Sequence, residues 1–121
     1  MSLTSSMEDY LEAVLIMQQR HGYVRCVDVA EQLGVKKPSV SRAVKELSKS
    51  GHLVKNADGA LSLTETGLQL AEQICEKHRF FTEQLIAAGV DPKIAEQDAC
   101  SIEHAVSAES FQKLKKALDD G

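Results

Sequence analysis

The stretch from Val27 to Leu63 constrains the fold most, because its breakers fall between three apolar patterns in a recognisable order. Val27, Val29, Ala30 and Leu33 fit a short helix, with Gly34 placed as its left-handed stop. A further helix is expected over about Lys37 to Ser50. Pro38 is tolerated in its first turn, Val40, Val44 and Leu47 share one face, and Gly51 closes it. Two short alternating runs, His52–Lys55 and Ala60–Leu63, then flank Asn56-Ala57-Asp58-Gly59, the signature of a β-hairpin. Two short helices separated by a glycine turn and followed by a hairpin give the order of a winged helix-turn-helix, whose second helix enters a DNA major groove.

The flanking segments are helical. Ser6 followed by Asp9 looks like an N-cap, after which Met7, Tyr10, Leu11, Val14 and Met17 recur at helical spacing until Gly22. Thr64 can cap a long helix running to about Ala88, stopped by Gly89. Asp91-Pro92 starts another to about Val106, and Ser107 caps a last one carrying Phe111, Leu114 and Leu118 as a stripe. The expected fold class is therefore mainly α: a winged helix-turn-helix over residues 1–63, then a helical unit over residues 64–121. With 121 residues, 43% of them hydrophobic and 26% charged, the chain suits one domain or two small ones sharing a core. No apolar run approaches the roughly 18 residues of a membrane span and no signal-peptide pattern opens the chain, so a cytoplasmic protein without a membrane partner is expected. Cys26, Cys75 and Cys100 show no disulfide-like or CxxC spacing; each by default is a small buried hydrophobe.

A net charge of −4 argues at first against nucleic acid, but its distribution does not. Between Lys36 and Lys55 six basic residues (Lys36, Lys37, Arg42, Lys45, Lys49, Lys55) face a single acid, Glu46. Such a block is a local electrostatic footprint for DNA. Ser39, Ser41 and Arg42 fall near the start of the second helix of the motif, where side chains can reach base edges, with Lys36 and Pro38 beside them. Lys37, Lys45 and Lys49 suit phosphates, and Lys55 on the wing can touch the backbone. The bland reading of the same residues is a solvated basic helix.

From Glu65 to Glu109 the balance reverses, with nine carboxylates against Lys77, Arg79 and Lys93. Cys100, Glu103 and His104 stand at i, i+3 and i+4, one helix face. A thiolate, a carboxylate and an imidazole so placed can converge on one cation. A histidine such as His78 and two carboxylates such as Asp9 and Glu12 could complete an octahedral shell. Taken singly, Asp9 and Glu12 are acids favoured near a helix N-terminus, and His78 and Cys100 are ordinary core or surface residues.

Together these stretches resemble the diphtheria-toxin-repressor family of iron- and manganese-dependent regulators, especially its short manganese-transport-regulator branch. The resemblance rests on Ser6-Met7-Glu8-Asp9-Tyr10-Leu11-Glu12, Pro38-Ser39-Val40-Ser41, Leu63-Thr64-Glu65-Thr66-Gly67, Lys77-His78-Arg79 and Asp98-Ala99-Cys100-Ser101-Ile102-Glu103-His104, in the family's order. It implies a helical metal-binding and dimerisation domain after the winged helix, a form without the family's SH3-like domain, and Mn2+ or Fe2+ as co-repressor. It further implies a homodimer on double-stranded operator DNA controlling metal uptake genes. Asp9, Glu12, His78, Glu103 and His104 match ligands of the manganese branch, whereas Cys100 agrees with the iron branch. Where the iron branch has a second-site acid one turn after the histidine, this chain has Thr82.

Two rival functions stay in view. A winged-helix repressor could sense an organic ligand or oxidation at Cys100 instead of a metal. An enzyme would need Cys100 and His104 as nucleophile and base, but no oxyanion-hole loop or phosphate cradle accompanies them, so no enzymatic activity is expected.

Overall fold

The computed structural model describes residues 3–120, so the outer limits expected for the two domains, residues 1 and 121, lie outside the described residues. The elements run α1 (Ser5–His21), α2 (Cys26–Leu33), α3 (Lys37–Lys49), β1 (Leu53–Lys55), β2 (Leu61–Leu63), α4 (Glu65–Ala87), α5 (Pro92–Ala105) and α6 (Ala108–Asp120). They form two compact units, one up to Glu72 and one from Gln73, with the division inside α4.

The first unit is the winged helix-turn-helix. Its core is apolar throughout: Leu11, Val14, Val24, Val29, Val40, Leu47, Leu53 and Leu61 are almost wholly hidden. At roughly 1.5–3 kcal/mol per buried aliphatic side chain, these residues supply the main drive for its folding. The α2–α3 turn is made by Gly34 at φ +67°, whose N–H bonds to the Ala30 carbonyl; the left-handed region carries little penalty for glycine. The hairpin is antiparallel with Leu53 opposite Leu63 and Lys55 opposite Leu61. Its loop is shaped by Asp58, whose Oδ1 accepts from the Ala60 N–H at 3.0 Å, and by Gly59 at φ +90°.

Two features of this unit depart from, or go beyond, the sequence pattern. The α1 cap is Thr4, not Ser6: its Oγ1 accepts from the Met7 N–H at 3.2 Å, and Ser6 already lies in the first turn. Thr4, Ser5 and Ser6 are all competent caps, so side-chain type alone does not choose among them. The second feature is Gly67, on the first turn of α4. A Cβ there would stand 1.9 Å from the His52 carbonyl oxygen. Thr64 caps the same turn, accepting from the Gly67 N–H at 3.0 Å and donating to the Gly51 carbonyl at 2.7 Å. The start of α4 is thereby clamped on the α3–β1 turn.

The second unit comprises the rest of α4 with α5 and α6. Asp91 caps α5 through the Lys93 N–H, and Ser107 caps α6 through the Ser110 N–H. Phe111, only 2% exposed, is core; its ring meets Phe80 edge-on at 5.3 Å between centroids, and Phe80 meets Phe81 likewise at 5.1 Å. Such pairs add about 0.5–1.5 kcal/mol each beyond area burial. Lys77 donates to the Val106 carbonyl at the end of α5. Lys115 of α6 pairs with Glu76 of α4, and that hydrogen bond and charge hold the Lys115 ammonium above the ordinary lysine range. Leu114 and Leu118, the rest of the expected α6 stripe, remain exposed.

Candidate DNA-reading face and metal centre

In the first unit, α3 is amphipathic. Val40, Ala43, Val44 and Leu47 turn inward, which leaves Lys37, Pro38, Ser39, Ser41, Arg42 and Lys45 exposed, together with the N-cap Lys36. Lys55, at the end of β1, is exposed as well. All eight residues expected to meet DNA are therefore accessible on the helix-turn-helix and its wing. An open groove of about 560 Å³ is lined by Ser41, Val44, Lys45, Ser48 and Lys49 of α3, by Lys55 and by Cys26. Three ammonium groups around one groove favour an anion such as the sugar-phosphate backbone. Cys26, expected as buried filler, is half-buried and opens onto this groove. It stands at the first position of α2, where too little of the helix precedes it for periodicity to assign a face.

In the second unit the side chains of interest gather on α4 and α5. Glu103 is 1% exposed, the one charged residue buried to this degree among the described residues. Its Oε2 lies 2.9 Å from Nδ1 of His78, and its Oε1 lies 3.5 Å from Nε2 of His104. Cys100, Glu103 and His104 offer ligand atoms within 4.8 Å of one another, as do His78 and Glu103. The i, i+3, i+4 spacing puts the first three on one side of α5, and His78 comes from α4. A buried carboxylate is tolerated only with compensating charge or hydrogen bonds; here imidazole nitrogens stand on both sides of it. The donor set of two imidazoles, a carboxylate and a thiol fits a first-row transition cation. Thr82 donates to the His78 carbonyl at 2.7 Å, so the residue standing in place of the iron branch's second-site acid is engaged within its own helix. In the first unit, Asp9 and Glu12 lie three positions apart on α1 and are both partly buried.

The fold and these residues define a winged-helix DNA-binding protein with a potential metal-ligating cluster in a second, helical unit. Residues 2–61 match the family model described as the iron-dependent repressor N-terminal DNA-binding domain, and residues 64–120 match that family's metal-binding and dimerisation domain. The chain belongs to the iron-dependent repressor family, the metal-dependent transcriptional repressors that bind operator DNA as dimers. An HTH-type transcriptional regulator MntR of Listeria monocytogenes is 34% identical over 111 residues, covering 92% of this chain and 78% of the relative. A solved structure of the metal-dependent transcriptional regulator MtsR matches with TM-score 0.87 and 30% identity, over 97% of this chain and 55% of that one. A manganese-dependent transcriptional repressor in complex with manganese matches with TM-score 0.83 and 25% identity, over 93% and 52%. This chain thus spans about half the length of these two solved chains. Among its described residues no helix is long and apolar enough to cross a membrane.

Proposed function

We infer that this chain is a cytoplasmic repressor of metal uptake genes whose co-repressor is Mn2+ or Fe2+, held by Asp9, Glu12, His78, Cys100, Glu103 and His104. Residues 1–63 carry DNA recognition and residues 64–121 carry metal binding and dimerisation. The observation that carries the reading is the buried Glu103 carboxylate standing between the imidazoles of His78 and His104, with Cys100 beside them.

A divalent cation supplies the positive charge that lets several carboxylates and a thiolate share one small volume. On this reading Asp9 and Glu12, on a helix of the DNA-reading unit, are drawn into the same coordination shell as the α5 trio. That coupling narrows the positions open to α3 in each subunit of the dimer. A symmetric dimer must present two recognition helices roughly 34 Å apart to meet successive major grooves, so narrowing favours operator binding. The gain is bounded by the difference in metal affinity between the mobile and DNA-competent states, typically five- to 150-fold for such coupling. Ser39, Ser41 and Arg42 read base edges; Lys36, Lys37, Pro38, Lys45 and Lys55 form the backbone-facing surround. Hard oxygen ligands favour Mn2+, and the sulfur of Cys100 draws the site toward Fe2+.

The test is binding to an operator duplex selected from a random library, under anaerobic conditions, with Mn2+, Fe2+ and Zn2+ supplied separately. Wild-type protein gains about five- to 150-fold in affinity with a cognate cation. His104→Ala retains its helical content and its low-salt binding to random DNA but loses the gain. Undiminished metal stimulation in His104→Ala would refute the ligand assignment.

A further inference from the structure

The segment between α1 and α2 does more than connect them. Val24, fully buried, accepts a hydrogen bond from the Leu61 N–H at 2.7 Å, which docks residues 23–25 along β2 of the wing. Around this backbone anchor the neighbouring side chains reach the wing loop. The Tyr23 hydroxyl lies 3.4 Å from Oδ2 of Asp58. The Arg25 guanidinium sits 5.3 Å from the centroid of the Tyr23 ring. Its Nη1 is 3.3 Å from where a Cβ would stand on Gly59, so the bare glycine at the loop tip leaves room for it. The Arg25 N–H is held in turn by the Asp28 carboxylate at 2.8 Å.

The wing loop, Asn56-Ala57-Asp58-Gly59-Ala60, carries one acid and no base. Alone it would offer a negative charge to a phosphate backbone. Asp58 is occupied by the Tyr23 hydroxyl and the Ala60 N–H, and among the described residues no ion pair is formed by Arg25. An arginine stacked on an aromatic face keeps the in-plane N–H donors at its edge available. Being held in place already, it loses less freedom on binding than a loose side chain. We propose that Arg25, stacked on Tyr23 and laid across the wing turn, is a DNA-contacting residue that donates from its guanidinium to an operator phosphate beside the wing. It rests on the assignment of the winged helix to DNA binding, and it adds a cation that the basic block from Lys36 to Lys55 does not include.

The proposal is tested with the full-length protein and both the selected operator and a random duplex of about 30 base pairs, by fluorescence anisotropy between about 50 and 200 mM salt. Arg25→Ala weakens binding to both duplexes about equally, and the slope of log K against log salt becomes shallower by about 0.9 for each subunit bound. Arg25→Lys restores the slope but not the full affinity, because an ammonium neither stacks as well nor donates bidentately. Lys45→Ala is the companion measurement. A shallower slope for Lys45→Ala with an unchanged slope for Arg25→Ala overturns the proposal and leaves the DNA-reading face standing. Unchanged slopes for both overturn the proposal and the assignment of that face together. Should Arg25→Ala lose helical content, Arg25→Gln takes its place with the same expected slope and the same disproof.

Discussion

Among the described residues, those up to Glu72 hide a broad set of aliphatic side chains and no charged one, whereas beyond Gln73 the largest fully buried side chains are Phe111, Ile74 and Glu103. The first unit has a broad aliphatic core and turns its basic residues outward, while Tyr23, Val27, Val35, Val54 and Leu68 stay exposed on it. The second has a thinner apolar centre, keeps the carboxyl group of Glu103 inside it and leaves Ile86, Ile94, Leu114 and Leu118 at 42–51% exposure. The buried carboxylate and the thinner core, rather than the exposed apolar side chains, set the second unit apart. The contrast matches a division of labour in which the first unit is a finished tool for DNA. We propose that the second is completed by a partner copy and by a cation at its buried carboxylate.

That contrast can be broken at either unit. The largest effect is expected from Phe111→Ala. It empties the centre of the Phe80–Phe81–Phe111 cluster where few other large side chains are buried, at a cost of about 3–5 kcal/mol. Chemical denaturation followed by circular dichroism reads this as a lower midpoint. A loss below about 1 kcal/mol would mean that this unit does not depend on its aromatic centre. A smaller effect, about 1–3 kcal/mol, is expected from Gly67→Ala, because the new Cβ meets backbone at the His52 carbonyl rather than a yielding side chain. The same measurement checks it, and a variant as stable as the parent would show that the α4 start is not clamped on the α3–β1 turn.

The sequence pattern carried much of this, for reasons that differ by region. Gly34 and the Asn56–Gly59 loop announce themselves because left-handed and tight-turn backbone needs particular residue types. The inward face of α3 follows from the spacing of Val40, Val44 and Leu47. Start points were less readable: three adjacent capping residues hid that Thr4 begins α1. Contacts between residues distant in sequence were not readable by periodicity at all. Nothing local shows that Arg25 lies over Gly59 or that Gly67 approaches His52. The face shared by Cys100, Glu103 and His104 was evident from helical spacing, but the pairing of His78 with Glu103 joins two helices across 25 positions. The residue pattern offered His78 only as one candidate histidine, and resemblance to a family matched it to a ligand position.

The proposed function requires one transition-metal centre that draws on both ends of the chain, and anomalous scattering from a crystal of the dimer grown with Mn2+ would locate it. The expected result is a manganese peak in contact with the Glu103 carboxylate, its other protein ligands coming from Asp9, Glu12, His78, Cys100 and His104. A peak elsewhere, with the α1 acids and the α5 trio serving separate surroundings, would contradict it.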